Sequence, residues 1–324
     1  MTFEKSFQIV VWNCKDSVTS RKRKMKSIQV FHNPTAGEGE HTKETLIKQI
    51  EKAGYDCSYN STKKGGIEES SPKEADILVA VGGDGTVRKL ASHLLELPLR
   101  DKPGPIGLLP AGTANNIART LGIKGSPEEI IKKWASCKTR PFDIGRISGL
   151  EKNPFLLESL GFGVFPKLIR EMKDRKPSEI SEDPEEELRD ALKRLHNIIL
   201  EYKTRECTIM MDDKHVSGKF LMVEIMNIQS LGPNLNLAPL ADPADGELDM
   251  ILIAESQREE LAGYIERRLK YGKDEPFFHK AHRAKKIKVA WKGHLLHVDD
   301  ELVKIEKSEE LTIDVVQGVL EFLV

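Results

Sequence analysis

Three glycines surrounding one carboxylate, Gly82-Gly83-Asp84-Gly85, followed by Thr86, are the residues of this 324-residue chain best suited to chemistry. They sit where the apolar run Val79-Ala80-Val81 empties into helix-forming residues. Glycine has no Cβ, so it can take positive φ and bring backbone N–H groups close to anionic oxygens. Asp84 adds a charge that could hold a hard divalent cation or orient a phosphoryl donor. The same residues would also make an ordinary tight turn between a strand and a helix.

Two companion loops shift the balance toward a phosphate site. Upstream, Ile28-Gln29-Val30-Phe31 reads as a strand ending in His32-Asn33-Pro34-Thr35-Ala36-Gly37. Downstream, Ile106-Gly107-Leu108-Leu109-Pro110 leads through Ala111-Gly112-Thr113-Ala114-Asn115-Asn116 into a third helix. Strands alternating with helices imply a parallel sheet, whose ligands lie outside the carboxyl ends of the strands. All three polar loops fall at that edge.

The elements that must position them follow from spacing. Leu46, Ile47, Ile50 and Ala53 mark a helix over 42–53 that Gly54 stops. Further helices are expected over 86–97, 113–121 and 127–134, the last opened by Ser126 as N-cap. The uniformly apolar strand 76–81 should be central and covered on both faces. After residue 144 the texture changes to short strands over 155–159, 206–211, 219–227, 248–253, 287–291, 294–298 and 311–316. Helices over 185–202 and 257–271 interrupt them, and the charged 173–184 stretch reads as a surface loop.

Composition sets bounds. The length exceeds what one core usually supports. Fifty basic against fifty-one acidic residues, net charge −1, give no general drive toward nucleic acid. Cys14, Cys57, Cys137 and Cys207 lie far apart, as reduced thiols of a cytoplasmic protein would, and no apolar run reaches membrane-spanning length.

The ordered loops, with Leu109-Pro110-Ala111-Gly112-Thr113 and the strongest element Gly82-Gly83-Asp84-Gly85-Thr86, resemble the diacylglycerol kinase catalytic family. That family includes bacterial lipid kinases and sphingosine kinases and shares a nucleotide fold with NAD kinases. The resemblance covers residues 27–324. It implies an NAD kinase-like α/β N-terminal domain with a mostly parallel sheet and flanking helices. A largely antiparallel, β-sandwich-like C-terminal domain should follow, with the active site in the cleft. The expected boundaries are an extension over 1–26, a nucleotide-binding domain over 27–145 that 306–324 could complete, and a lipid-substrate domain over 146–305.

The resemblance also implies an ATP-dependent lipid kinase, peripheral to the membrane, that moves the γ-phosphate to a hydroxyl of diacylglycerol or a related amphiphile. ATP is then substrate and Mg²⁺ the metal; whether the chain forms a homodimer stays open. Asn33, Pro34, Thr35, Gly37, Gly82, Gly83, Asp84, Gly85, Thr86, Gly112, Thr113 and Asn115 would hold the nucleotide, with Asp84 acting through Mg²⁺. Asp242, Asp245 and the carbonyl of Leu248 would bind a structural Mg²⁺, unless that turn is merely solvated. In Val298-Asp299-Asp300-Glu301, at the place of the family's Asp-Gly-Glu, Asp299 inherits the general base, the alternative being a hairpin turn. His32, His294 and His297 read as packing or surface residues.

Several residues depart from the family pattern. Asp300 stands at the glycine of that triplet, Asn116 where many lipid kinases have a second aspartate, and Glu158 where an asparagine is common. They keep in play a catalytically silent nucleotide- or lipid-binding relative, and the Gly-Gly-Asp-Gly element shared with NAD kinases leaves an NAD kinase-like enzyme as the other alternative. Phe162, Val164, Phe165, Leu168 and Ile169 are candidates for an apolar acceptor groove but read more readily as core, and 279–286 is the best basic patch for a membrane surface, though most such runs are merely solvated.

Overall fold

The computed structural model describes residues 27–36, 42–63, 67, 75–97, 104–272, 275–277, 279–305 and 310–324. The expected extension over 1–26 and the expected nucleotide contact Gly37 lie outside them.

In the first half, strands β1 (Ser27–His32), β2 (Asp56–Ser61), β3 (Ile77–Gly82) and β4 (Ile106–Pro110) pair in parallel in the order β2-β1-β3-β4. Helices α1 (Lys43–Lys52), α2 (Asp84–Glu96), α3 (Asn116–Thr120) and α4 (Pro127–Lys133) cover both faces. Alternation along β3 explains its uniform apolarity. Val79 and Val81 pack with Leu46 and Ile50 of α1 and with Ile130 and Ile131 of α4. Leu78 and Ala80 pack with Leu90 and Ala91 of α2 and Ile117 of α3. The expected caps are in place: Thr42 accepts from Thr45 N at 3.2 Å, and Ser126 forms a capping box with Glu129.

The second half begins with β5 (Thr139–Ser148), β6 (Phe155–Leu156), β7 (Ser159–Gly163), α5 (Val164–Lys173) and α6 (Pro184–Glu201). It continues through β8 (Arg205–Met211), β9 (Lys214–Met226), the short pair β10 (Ser230–Leu231) and β11 (Leu235–Asn236), β12 (Leu248–Ala254) and α7 (Arg258–Tyr271). Strands β13 (His282–Ala284), β14 (Lys286–Trp291), β15 (Leu295–Val298), β16 (Glu301–Lys304) and β17 (Glu310–Leu323) complete it. Pairing within this half is antiparallel. Along β12, Met250 and Leu252 enter the core between strands, while Ile251 and Ile253 meet Leu195 and Ile199 of α6 and Ile265 of α7.

The strand β17 belongs to both halves. Its start pairs with β14, nearly its full length pairs with β5, and Phe322 near its end pairs with Ile106 of the parallel sheet. Two open readings narrow here. The groove candidates Phe162, Val164, Phe165 and Leu168 are closed core, because α5 seats the last three on the β-sheet. The 279–286 patch is partly consumed by structure, since His279 bonds Leu252 O at 3.0 Å and Arg283 pairs with Glu247 at 3.0 Å. Among the described residues no helix is long and apolar enough to cross a membrane.

Candidate active site

A cavity of about 990 Å³ lies between the halves at the carboxyl edge of the parallel sheet. From the α/β side Asn33, Thr35, Gly83, Gly85, Thr86, Gly112 and Thr113 line it; from the β side come Asn153, Phe155, Asp299, Asp300 and Glu301. Most of the expected nucleotide contacts are thus brought together, while Pro34, Gly82 and Asn115 shape the loops behind.

The two glycine loops touch through their backbones. A Cβ on Gly112 would stand 2.4 Å from the Cα of Gly83, so glycine is required by close approach rather than by flexibility. Asn115 closes the third loop on itself, accepting from Gly112 N at 2.9 Å and donating to Gly112 O at 2.6 Å. In the first loop, Thr35 Oγ1 donates to Asn33 Oδ1 at 2.7 Å. The N-terminus of α2, capped only by Gly83, opens beside these loops and offers backbone donors to an anion.

Asp84 lies behind the cavity surface. Its carboxylate accepts from Asn116 N at 2.9 Å and Ile117 N at 3.0 Å, capping α3 and locking the second loop to the third. Burial pushes its pKa up to about 6; those two bonds pull back, and the charge of Asp300 adds to the rise. Glu158, 4% exposed, is raised well above the usual carboxylate range by burial first and then by Asp84, Asp300 and Asp299. Next to them the Oδ1 of Asn116 is buried with no hydrogen-bond partner.

Asp299, the expected base, is enclosed by donors. It accepts from Leu157 N and Glu158 N, both at 2.8 Å, from Ser159 N at 3.0 Å, and from the Arg88 guanidinium. Its side chain is 1% exposed. Arg88, one turn into α2, also donates to Phe155 O at 3.3 Å and Asn153 Oδ1 at 3.1 Å, so the cluster fastens the nucleotide half to the β half. The carboxylate expected to receive a proton is a buried knot with its lone pairs committed.

Asp299 and Asp300 are the two central residues of the β15–β16 hairpin, with φ of +46° and +65° and Val298 paired to Glu301. That is a two-residue primed turn, in which glycine is favoured at the second position. Aspartate there costs ~1 kcal/mol relative to glycine. Just before the turn, His297 is buried and bonds Glu224 at 3.0 Å, in a space that exists because Gly161 has no side chain. Burial favours neutral His297, but the Glu224 carboxylate outweighs it and the pKa rises.

Mg²⁺ needs separate tests at the two expected places. In the cleft, among the described residues, no three His, Cys, Asp or Glu side chains are spaced to hold a metal unaided. The hard oxygens of Asp84, Glu158 and Asn116 nevertheless suit a cation that arrives with phosphates, since Mg²⁺ commonly takes one or two carboxylates plus substrate oxygens. At the second place the fit fails. Asp242 pairs with Arg140 at 2.6 Å and accepts from Ala244 N at 2.9 Å; Asp245 pairs with Arg283 and accepts from Glu247 N at 3.0 Å. Leu248 is buried in β12 opposite Ala284. Guanidinium groups already pair with both carboxylates.

Sequence reasoning missed Arg88. It is the buried cation within a helix face made by Val87, Leu90 and Ala91, and that misfit is the one signal that could have singled it out.

Known proteins resemble this chain in sequence and in fold. Residues 27–147 match the family model described as the diacylglycerol kinase catalytic domain, and 182–317 that of the YegS C-terminal NAD kinase beta sandwich-like domain. A diacylglycerol kinase of Bacillus subtilis is 28% identical over 240 residues, 71% of this chain and 74% of the relative. One from Staphylococcus epidermidis is 26% identical over 248 residues, 74% of each. The crystal structure of a diacylglycerol kinase from Bacillus anthracis shares the fold, with a TM-score of 0.69 at 20% identity over 93% of this chain and 98% of that one. With one model on the α/β half, the other on the β half, and the glycine loops meeting between them, the chain belongs to the diacylglycerol kinase family of lipid kinases.

Proposed function

We propose that the protein transfers the γ-phosphate of ATP to a hydroxyl of diacylglycerol or a related amphiphilic lipid. One observation carries this: the three loops and the α2 N-terminus meet at a single cavity whose far wall belongs to the β half. The α/β half, 27–145 with the end of β17, takes the nucleotide, and the 146–305 half takes the lipid. Transient contact with a bilayer surface follows from where such an acceptor resides.

The residues divide the work. Backbone donors of Gly83, Gly85, Gly112 and Thr113 surround the phosphates, and Asn33 and Thr35 meet the nucleotide from the neighbouring loop. Asp84 and Glu158 would hold Mg²⁺, which when bound neutralises phosphate charge. Asp84 also fixes the spacing of the two glycine loops, and closure of the halves excludes water. Positioning and charge neutralisation supply most of the rate in such a transfer. No step runs through Asp242, Asp245 or Leu248, because Arg140 and Arg283 already neutralise that turn.

Gly112-Thr113-Ala114-Asn115-Asn116 argues against the NAD kinase reading. The protein is incubated with γ-labelled ATP and, in parallel, a lipid extract or NAD. Label in the lipid fraction, lost with Asp84→Ala, is the expected result. Label in NAD, or no label despite ATP binding, overturns the proposal in favour of the NAD kinase-like or the silent reading.

A further inference from the structure

We propose that Lys89, on the second turn of α2, grips the outer phosphates of the nucleotide; this rests on the ATP half of the reading above. Lys89 lines the cavity, yet among the described residues no carboxylate or carbonyl lies within bonding distance of its ammonium. Its neighbour Arg88 is the opposite, buried and committed to Asp299, Phe155 and Asn153. An exposed, unpaired ammonium at the wall of a cleft is free to meet an anion that enters.

The helix places that ammonium where a phosphate chain would run. Gly85, Lys89, Ser92, His93 and Glu96 all line the cavity, and spacings of three and four residues put them on one face of α2. With a rise of ~1.5 Å per residue, the Cα of Lys89 stands ~6 Å along the axis from that of Gly85. Each Cα–Cβ bond of a helix tilts toward its N-terminus, so a long side chain lies back over the turn before its own. That tilt carries the Lys89 stem toward the turn of Gly85 and Thr86, beside the backbone donors that open the helix.

Charge leads to the same residue. Glu96, Asp299, Asp300 and Glu301 are the carboxylates of the lining, against Arg88 and Lys89. Arg88 answers Asp299, which leaves a polyphosphate facing three acids. The positive end of α2 offsets part of that repulsion. Lys89 is the one lysine or arginine of the described lining left without a partner. An ammonium is a compact point charge on a flexible stem, suited to oxygens of two neighbouring phosphates. As the γ-phosphoryl group departs, negative charge gathers on the oxygen that leaves with the β-phosphate, and Lys89 neutralises it there.

The test measures Kd for ATP, ADP and AMP, lipid-dependent kcat and Tm for Lys89→Met and Lys89→Arg beside wild type. Loss of a charge-assisted contact predicts a ~10–100-fold weaker Kd for ATP in Lys89→Met, a smaller loss for ADP and none for AMP. The kcat should fall as well, and Lys89→Arg should recover most of both. Tm should hardly move, because an exposed, unpaired side chain holds nothing in the fold. Reductive methylation read by mass spectrometry should mark Lys89 in the free protein, with MgATP blocking the mark and AMP leaving it. Lys89→Met that binds ATP as wild type does overturns the assignment, as does an equal loss for ATP and AMP, or methylation that MgATP leaves unchanged. The two readings fail separately. Wild type that binds ATP and labels NAD, or nothing, brings down the lipid reading while the graded loss from ATP to AMP still supports the grip; wild type that labels lipid beside an equally active Lys89→Met brings down the grip alone.

Discussion

Two acidic turns of this protein look alike in sequence and are opposites in space. In the turn from Asp242 to Asp249, Arg140 and Arg283 stand against the carboxylates of Asp242, Asp245 and Glu247. Asp249, pushed up to about 6 by burial, is pulled back by Arg283. In the cleft, Asp299 is the one carboxylate that Arg88 pairs with among the described residues, while Asp300 raises the proton affinity of Asp84 and both raise that of Glu158. Acids answered by cations hold the fold together, whereas acids left facing one another store unfavourable charge that a cation and a proton in transit would relieve.

The sharpest way to break this contrast is Asp299→Ala. If Asp299 is the buried knot described, its loss leaves Arg88 unpaired and three N–H groups without an acceptor, and should destabilise by ~3–5 kcal/mol. Urea titration reads this directly, and a variant with unchanged stability would return Asp299 to the catalytic side. Next in size is Glu224→Gln, expected to cost ~2 kcal/mol near pH 6.5. The sign follows from His297, whose folded pKa lies above the unfolded 6.5. The pair's contribution is present at and below that value and is lost as pH rises through the folded pKa. The Tm gap to wild type should therefore narrow between neutral and alkaline pH; a gap that widens would refute the charged pair. Smallest is Arg283→Ala, expected to cost 1 kcal/mol or less, as solvent screens a half-exposed pair, while EDTA leaves the Tm of the nucleotide-free protein unmoved. A Tm that falls on chelation would mean that a metal, rather than arginine, holds the turn.

Local features were legible in the chain and distant ones were not. Caps at Thr42 and Ser126, the buried β3 and the glycine loops all depend on neighbours within a few residues, where spacing and side-chain chemistry decide the outcome. The start of α2 at Asp84 rather than Thr86 is a difference of that same short range. By contrast, Arg88 meets Asp299 across 211 positions and Phe155 across 67, separations over which a pattern of residue types carries no distance. The strand β5 went unseen because its outer residues are polar, and α5 because its apolar face reads equally well as a ligand groove or as core. In the Asp299–Asp300 pair, the hairpin was readable from two flanking strands, but that Asp299 turns inward rests on Arg88 and the backbone of Leu157, Glu158 and Ser159, all distant in the chain.

The strand shared by both sheets also bears on how the protein is made. Ile106 emerges from the ribosome long before Phe322, so the open flank of β4 must wait until the chain has run on to Phe322 before its neighbour arrives. During that interval an unpaired row of backbone groups faces the cell, the kind of edge that recruits foreign strands. The far-downstream β17 is therefore the strand that ends the exposure.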